Sequence, residues 1–254
     1  CFKYNLLTNK IKNYIGTSAG AVVCYLLAIG YTPDEVIVIL CTEQIFQKFP
    51  YPNLFKMSQG HGACDYSIIQ EQLEKLTINK IGSYLTLGML KSQYKKNLVC
   101  VTYNYTLDKI EYLTATEYPD LPCITAIKMS SSLPFVFEAF KYNNYKYIDG
   151  GIFNNFPIDY FDHSNNKVLG LLLSGDEDSR AEDEMNSLKY ILKLLAIPVK
   201  QVTATKVSNA SDRCTILSLS PINVPIFNFM IPPKDLLNLY CNGYNDAHNF
   251  FNHI

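Results

Sequence analysis

The chain has 254 residues, of which 48% are hydrophobic and 18% charged, and its formal net charge at pH 7 is −1. This hydrophobicity argues against intrinsic disorder, and the near-neutral charge gives no sign of a nucleic-acid-binding surface. The longest nearly apolar stretch, residues 19–31, is too short to span a bilayer. We therefore expect a globular protein that binds no nucleic acid and folds as a single domain over residues 1–254.

The amino-acid usage indicates an AT-rich genome, because lysine far outnumbers arginine while asparagine, isoleucine and tyrosine are abundant. We expect a cytoplasmic protein, peripheral to membranes, from a source such as a large virus or a parasite. The eight cysteines are scattered without a C-x-x-C pair, which predicts free thiols and no zinc site. An acidic run at residues 176–184 predicts a solvated loop rather than a calcium site.

Strands and helices are predicted to alternate along the chain, which is typical of an α/β sandwich. A strand at residues 12–15 leads through a tight turn at 16–20 into an apolar, buried helix that ends near residue 28. Residues 32–35 have the form of a capping box and predict a helix that extends to about residue 47. The remaining predicted elements are helices at 67–76, 122–129, 188–195 and 235–251, and strands at 98–105, 109–114, 145–148, 168–173 and 214–219. We predict an α/β fold with three layers (α/β/α) around a mostly parallel sheet.

The sequence Gly16-Thr17-Ser18-Ala19-Gly20 matches G-x-S-x-G between a predicted strand and helix, the context of a nucleophile elbow. We expect the chain to turn so sharply that a Cβ at Gly16 or Gly20 would clash with neighbouring backbone. The turn places Ser18 at the helix N-terminus and aims the Ala19 N–H at a developing oxyanion. Ser18 is the candidate nucleophile, and the alternative is an ordinary glycine-flanked turn with an idle serine.

A serine hydroxyl needs a base to accept its proton. Asp149 follows a predicted strand and precedes Gly150 and Gly151, which allow another backbone to approach, and partial burial would make its carboxylate a stronger base. His248 could complete a Ser–Asp–His order, but its neighbours are typical of the exposed face of a terminal helix. Asp149 is the candidate general base, and the alternative is an ordinary Asp-Gly-Gly turn. The other histidines are His61, His163 and His253.

Together the two motifs resemble those of the patatin-like phospholipases. The family's elbow and the helices that follow it are similar to residues 16–36, GTSAGAVVCYLLAIGYTPDEV. The stretch that precedes the family's aspartate is similar to residues 126–134, AIKMSSSLP. DGGIFNNFP at 149–157 is similar to its D-G-G-x-x-x-N-x-P form, with Asn155 in place, and residues 235–251 resemble its terminal helix. The resemblance implies a lipid acyl hydrolase with a Ser18–Asp149 dyad and an acyl-enzyme, needing no histidine, metal or cofactor. It implies that Gly150, Gly151 and Asn155 support the dyad.

The resemblance also implies a glycine-rich oxyanion loop upstream of the serine, yet no glycine precedes Gly16. We therefore expect a domain truncated at its N-terminus. The sequence Gly60-His61-Gly62 is predicted to be a plain loop rather than a substitute.

The implied partner is a phospholipid or other acyl lipid at a membrane or micelle surface. Residues 222–232 are a candidate for the membrane contact, and the alternative is that they form a buried strand or loop. Four apolar residues are candidates either for an acyl channel or for the core: Val22, Leu133, Phe135 and Phe137. Three alternatives stay open: a transacylase with the same dyad, a His248-assisted esterase, and a lipid-binding protein impaired in catalysis.

Overall fold

The computed structural model describes residues 10–42, 62, 64–163, 165–174, 187–220 and 231–252. The contacts divide the chain into two compact units, the first comprising Cys1–Val36 and Pro50–Pro157 and the second Ile37–Phe49 and Ile158–Ile254. Both strands and helices occur throughout the described residues, and the predicted α/β class is confirmed. That residues 1–254 form a single domain stays a prediction.

The first unit contains a five-stranded sheet with helices packed against it. Its strands are β1 (Asn13–Thr17), β2 (Asn97–Asn104), β3 (Lys109–Leu113), β4 (Phe140–Tyr142) and β5 (Tyr145–Asp149). Its helices are α1 (Ala19–Ala28), the first turn of α2 (Pro33–Thr42), α3 (Ser67–Ile81), α4 (Leu87–Tyr94), α5 (Cys123–Ser130) and the short α6 (Gly151–Asn154). The sequence did not predict α4, β4 or α6.

The central strand β2 is buried along nearly its whole length, as its apolar sequence NLVCVTYN requires. β1 pairs with it in parallel, while β3 and β5 pair with it in antiparallel orientation, as does β4 with β5. The larger sheet is therefore mixed, with its parallel pairing at β1. The two predicted strands β2 and β3 form a hairpin, and Asp108 in its turn has a φ of 53°.

The register of β2 brings two strand ends together. β1 pairs with the first part of β2 and β5 with the last part, while β3 occupies the opposite edge. β1 and β5 therefore lie end to end along one edge of β2, running towards each other. Thr17, the last residue of β1, pairs with Val101, and Asp149, the last residue of β5, pairs with Thr102. The residues that follow the two strands consequently meet at the middle of the sheet.

The helix α1 is buried on one face only, which corrects the expectation of an all-round buried helix. Tyr25 is fully buried and its hydroxyl bonds to Thr77 Oγ1 of α3 at 2.7 Å, whereas Val23 is 49% exposed. The capping box is present: Thr32 Oγ1 accepts from the Glu35 N–H at 3.2 Å, and Glu35 Oε2 accepts from the Thr32 N–H at 2.7 Å. The predicted continuation of α2 over residues 43–47 lies outside the described residues.

The second unit contains a parallel pair of strands, β6 (Val168–Leu173) and β7 (Cys214–Leu219). Its helices are α7 (Ser187–Ser208) and α8 (Pro233–Asn252), with a 3₁₀ turn at Ile158–Tyr160. α7 continues through Pro198, well beyond the predicted end at residue 195. The acidic run at 176–184 and most of the proposed membrane segment, residues 222–230, lie outside the described residues.

Within the part of the chain that the structure describes, no single helix is long and apolar enough to cross a membrane. The bent pair of α1 and α2 meets the requirement of length and composition only when the two are taken together.

Candidate active site

Ser18 occupies a sharp, strained turn between β1 and α1. Its φ of 55° and ψ of −126° lie in a region that non-glycine residues rarely adopt. The Ser18 hydroxyl does not cap its own helix, so its oxygen is not held by the α1 backbone. The residue is half-buried, and Ala19 beside it is exposed at the helix N-terminus, where backbone N–H groups have no intrahelical partner.

The two glycines of the elbow differ in what requires them. A Cβ on Gly16 would lie 2.4 Å from the carbonyl carbon and oxygen of Gly20, so only glycine fits where the strand meets the helix. A Cβ on Gly20 would have no atom within 4 Å. The expectation of a clash is therefore right for Gly16 and wrong for Gly20, because a Cβ on Gly16 would run into the backbone of α1, whereas a Cβ on Gly20 would point into open space.

Asp149 lies at the end of β5 with only 2% of its surface exposed. The Ser18 side chain lies close enough to its carboxylate to favour the charged form, and the carboxylate Oδ1 accepts a hydrogen bond from the Gly151 N–H at 2.6 Å. Burial raises the pKa of Asp149 to about 6, because desolvation of the charged form outweighs the stabilisation that the charge receives from Ser18 and Gly151. The residues predicted as nucleophile and base thus lie side by side.

Gly150 allows the Asp149 turn to lie against the central strand. A Cβ at this position would lie 2.4 Å from the Val101 carbonyl oxygen and 3.0 Å from the Thr102 nitrogen. Gly151 is restricted from the other side, since its Cβ would lie 2.9 Å from Asp149 Oδ1. Both glycines thus permit the close packing on which the burial of Asp149 depends.

Asn155 is exposed, and its Oδ1 lies 3.0 Å from where a Cβ of Gly151 would be. The neighbouring Asn154, which the sequence analysis did not single out, is 2% exposed. Its carbonyl accepts from Thr17 Oγ1 at 2.9 Å, which connects the elbow to the turn after Asp149, and its Nδ2 donates to the Tyr112 hydroxyl at 2.9 Å. A support role for Asn155 stays a prediction, while Asn154 is the residue whose backbone tethers the two motifs.

The end of α5 also contacts both motifs, through the serines of the stretch AIKMSSSLP. Ser130 Oγ accepts from the Ser18 N–H at 3.0 Å, and the Ser132 carbonyl accepts from the Asp149 N–H at 2.9 Å. The Ser131 hydroxyl bonds to the Tyr66 hydroxyl at 2.5 Å. This stretch was noted only for its resemblance to the family, and no role was predicted for its serines.

The four candidate acyl-channel residues have different environments. Phe137 is buried, and its ring packs edge-on against that of Tyr66 with 5.1 Å between the ring centroids. It thus has the core role that was one of its two predicted alternatives. Phe135 is 40% exposed and has a φ of 69°, while Val22 and Leu133 are half-buried. An acyl channel lined by any of them stays a prediction.

The remaining predicted candidates lie elsewhere or outside the described residues. Gly62 packs against the backbone of the first unit, where its Cβ would lie 2.3 Å from the Glu138 nitrogen, whereas residues 60 and 61 are not among those described. His163 is exposed, and His248 lies on α8 with its Nε2 3.0 Å from Asn252 Nδ2. Both histidines belong to the second unit. No group of three metal-ligating side chains is found among the described residues.

The site places a hydroxyl, on Ser18, beside a base, the Asp149 carboxylate. The carboxylate can accept the hydroxyl proton, and its raised pKa makes it a better base at neutral pH than an ordinary aspartate. The start of α1 beside the serine offers N–H groups to a developing negative charge.

Sequence comparison finds a match to the family described as patatin-like phospholipase over residues 5–162, which is more than half of the chain. A probable lipid hydrolase of Invertebrate iridescent virus 6 is 34% identical over 165 residues, covering 63% of this chain and 56% of that protein. An uncharacterized protein of Acanthamoeba polyphaga mimivirus is 27% identical over 239 residues, covering 90% of this chain and 80% of that one. The chain thus spans little more than half the length of the iridescent virus protein.

Among solved structures, VipD from Legionella pneumophila is similar in fold, with a TM-score of 0.50 and 15% identity. The likeness covers 95% of this chain and 61% of VipD. At this identity it bears on the fold alone. The match over residues 5–162 includes both the elbow and the Asp-Gly-Gly turn, and the chain belongs to the patatin-like phospholipase family.

Proposed function

We propose that the chain is a lipid acyl hydrolase of the phospholipase A or lysophospholipase type, which cleaves fatty-acyl esters through a Ser18–Asp149 dyad. The observation that carries this proposal is the placement of the Ser18 side chain beside a buried carboxylate whose pKa is raised to about 6. At pH 7 such a carboxylate is mostly ionised, yet it binds a proton more readily than an exposed aspartate does. Membership of the family and the similarity to a probable lipid hydrolase support the same activity.

In the first half of the reaction, Ser18 Oγ attacks the ester carbonyl carbon while Asp149 accepts the hydroxyl proton. The carbonyl π bond opens to a tetrahedral oxyanion, for which the Ala19 N–H at the start of α1 is the proposed donor. When the oxyanion collapses, the bond to the leaving alkoxide breaks and Asp149 returns the proton to it. The products of this half are an alcohol or lysolipid and an ester between the acyl group and Ser18.

In the second half, water attacks the acyl-enzyme while Asp149 accepts one of its protons. A second oxyanion forms and collapses, the bond to Ser18 Oγ breaks, and the proton passes from Asp149 to the serine. A fatty acid is released and the starting enzyme is restored, so one water is consumed for each ester cleaved. The steps use the Ser18 and Asp149 side chains, the Ala19 N–H and one water, and the substrate is an acyl lipid at a membrane or micelle surface.

The direct test is the release of fatty acid from phosphatidylcholine vesicles and from lysophosphatidylcholine micelles. We expect Ser18→Ala and Asp149→Asn to lose activity by at least about 10²-fold, since each removes a group that acts in the transition state. Ser92→Ala, at an exposed serine of α4, and Asp120→Asn, at an exposed aspartate, are matched controls that should keep the wild-type rate. Equal fatty acid release by Ser18→Ala would refute the proposal.

Two further readouts separate the competing reactions. His248→Ala is expected to keep the wild-type rate, and a loss as large as that of Asp149→Asn would favour a histidine-assisted esterase. Chromatography of the products identifies a transacylase, because acyl groups would then appear on an added lysolipid instead of as free fatty acid.

We also propose that the protein is of viral origin and contacts membranes peripherally. The relatives from two large viruses and the lysine-rich composition support the first part.

A further inference from the structure

Ser130 is the residue whose side chain accepts a hydrogen bond from the backbone N–H of the proposed nucleophile. It is the last residue of α5 and is completely buried. Its Oγ accepts from the Ser18 N–H at 3.0 Å and donates to the Val101 carbonyl at 2.6 Å. One hydroxyl thus links the elbow to the central strand. It donates its hydrogen to the Val101 carbonyl of β2 and accepts the Ser18 N–H with a lone pair.

The link coincides with the point of greatest strain in the elbow. A non-glycine residue with φ near 55° and ψ near −126° persists only where its surroundings hold it. The hydrogen bond to Ser130 fixes the peptide plane that joins Thr17 to Ser18, because it sets the direction of the Ser18 N–H. The same peptide plane determines where the Ser18 side chain leaves the backbone, and hence its approach to Asp149.

The bonds made by the next two serines set Ser130 apart. The Ser131 hydroxyl bonds to Tyr66 and to the Ile127 carbonyl, and the Ser132 hydroxyl bonds to the Lys128 carbonyl of α5. Neither of these hydroxyls bonds to Ser18.

We propose that Ser130 is a positioning residue, whose hydroxyl holds the Ser18 backbone in the conformation that presents Oγ to Asp149. This inference rests on the proposed function of Ser18. Without the hydroxyl, the Ser18 N–H loses its acceptor and the elbow is free to relax. A shift of about 1 Å at a reacting atom is enough to lower a rate by about 10²-fold, so the role is measurable.

The test compares Ser130→Ala with the wild type and with Thr77→Val. The control also removes a fully buried hydroxyl with two partners, Tyr25 and the Leu73 carbonyl, but on the side of α1 that faces α3. It therefore reports the effect of a similar loss of stability. For each variant we would measure the melting temperature, kcat and KM for a soluble fatty-acyl ester, and the rate of labelling by a fluorophosphonate.

We expect Ser130→Ala to lower kcat and the labelling rate together by about 10- to 100-fold with KM nearly unchanged, as for an interaction that aligns the reacting groups. The midpoint of its pH–rate profile should stay near the wild-type value, because Asp149 is not altered. Thr77→Val should melt at a lower temperature but react at the wild-type rate. If Ser130→Ala does not fold, Ser130→Cys is the second variant, because the sulfur is a weaker acceptor at a greater bond length and disturbs the same hydrogen bond. It should lower kcat and the labelling rate together, by a smaller factor than Ser130→Ala.

A folded Ser130 variant that is labelled at the wild-type rate would overturn the positioning role. A parallel loss of rate in Thr77→Val would overturn it as well, since the effect would then follow stability alone. The two proposals fail in different ways: a wild-type protein that is not labelled at Ser18 refutes the proposed function, whereas equal labelling of wild type and Ser130→Ala refutes only the role of Ser130.

Discussion

The burial of Asp149 has a cost in stability that can be measured separately from activity. The folded-state pKa of about 6 exceeds the ordinary value of 3.8, so the folded protein binds this proton more tightly than the unfolded chain does. The contribution of the group to the free energy of unfolding is therefore most favourable below about pH 4 and is lost as the pH rises to about 6. Asp149→Asn, which keeps the shape but cannot ionise, should escape that loss.

The difference between the two pKa values is about 2 units, and each unit corresponds to about 1.4 kcal/mol. We expect Asp149→Asn to be more stable than the wild type by about 2–3 kcal/mol at pH 8, with the advantage shrinking as the pH falls towards 4. The lower part of this range allows for the stabilisation of the carboxylate by Ser18 and Gly151, only part of which an amide oxygen keeps. In a chain of this length, such a difference raises the melting temperature by roughly 4–12 °C.

The assay is thermal unfolding of both proteins followed by circular dichroism between pH 5 and pH 8. Asp120→Asn serves as the control, because it removes an exposed carboxylate in a turn and should leave the melting temperature unchanged relative to the wild type at each pH. If Asp149→Asn were no more stable than the wild type at pH 8, or if its advantage did not vary with pH, the carboxylate would not be desolvated as the structure indicates.

Three further predictions concern the elbow, the capping box and the pH dependence of the reaction. Gly16→Ala should fail to fold or melt at a much lower temperature, because its Cβ would lie 2.4 Å from backbone atoms of Gly20. Gly20→Ala should melt close to the wild type, since its Cβ would have no atom within 4 Å. Equal melting temperatures of the two variants would argue against the crowding at Gly16. Thr32→Ala should lower the free energy of unfolding in guanidinium chloride by about 1 kcal/mol through loss of the cap at α2, and no change would mean that the Glu35 N–H finds another acceptor. The rate of ester hydrolysis should rise with pH through a midpoint near 6, where Asp149 ionises, and a rate that is flat from pH 5 to pH 8 would be inconsistent with Asp149 as the base.

Local signals in the sequence were enough to predict elements whose cause is local. The capping box at Thr32 and Glu35 and the apolar run of β2 each depend on neighbouring residues, and both are present. Helix α4 was missed because Gly88 lies within it and weakens a helical prediction. That glycine is required by a distant contact, since its Cβ would lie 2.8 Å from the Pro119 carbonyl oxygen.

The two motifs of the candidate site were visible in the sequence, but the geometry that joins them was not. Their contact depends on the register by which β1 and β5 meet end to end on β2, at Val101 and Thr102. No local pattern encodes that register. Ser130 was missed for a related reason: three consecutive serines have the same chemistry, and only the packing of α5 decides which hydroxyl lies against Ser18.

The central claim is that Ser18 is a nucleophile activated by Asp149, and covalent labelling tests it most directly. Wild type, Ser18→Ala and Asp149→Asn would be treated with a fluorophosphonate at pH 7.5, and the modified peptide would be identified by mass spectrometry. We predict one adduct on the peptide that contains Ser18 in the wild type, none in Ser18→Ala, and labelling slowed by about 10²-fold or more in Asp149→Asn. An adduct of undiminished yield in Ser18→Ala, or labelling of Asp149→Asn at the wild-type rate, would contradict the account.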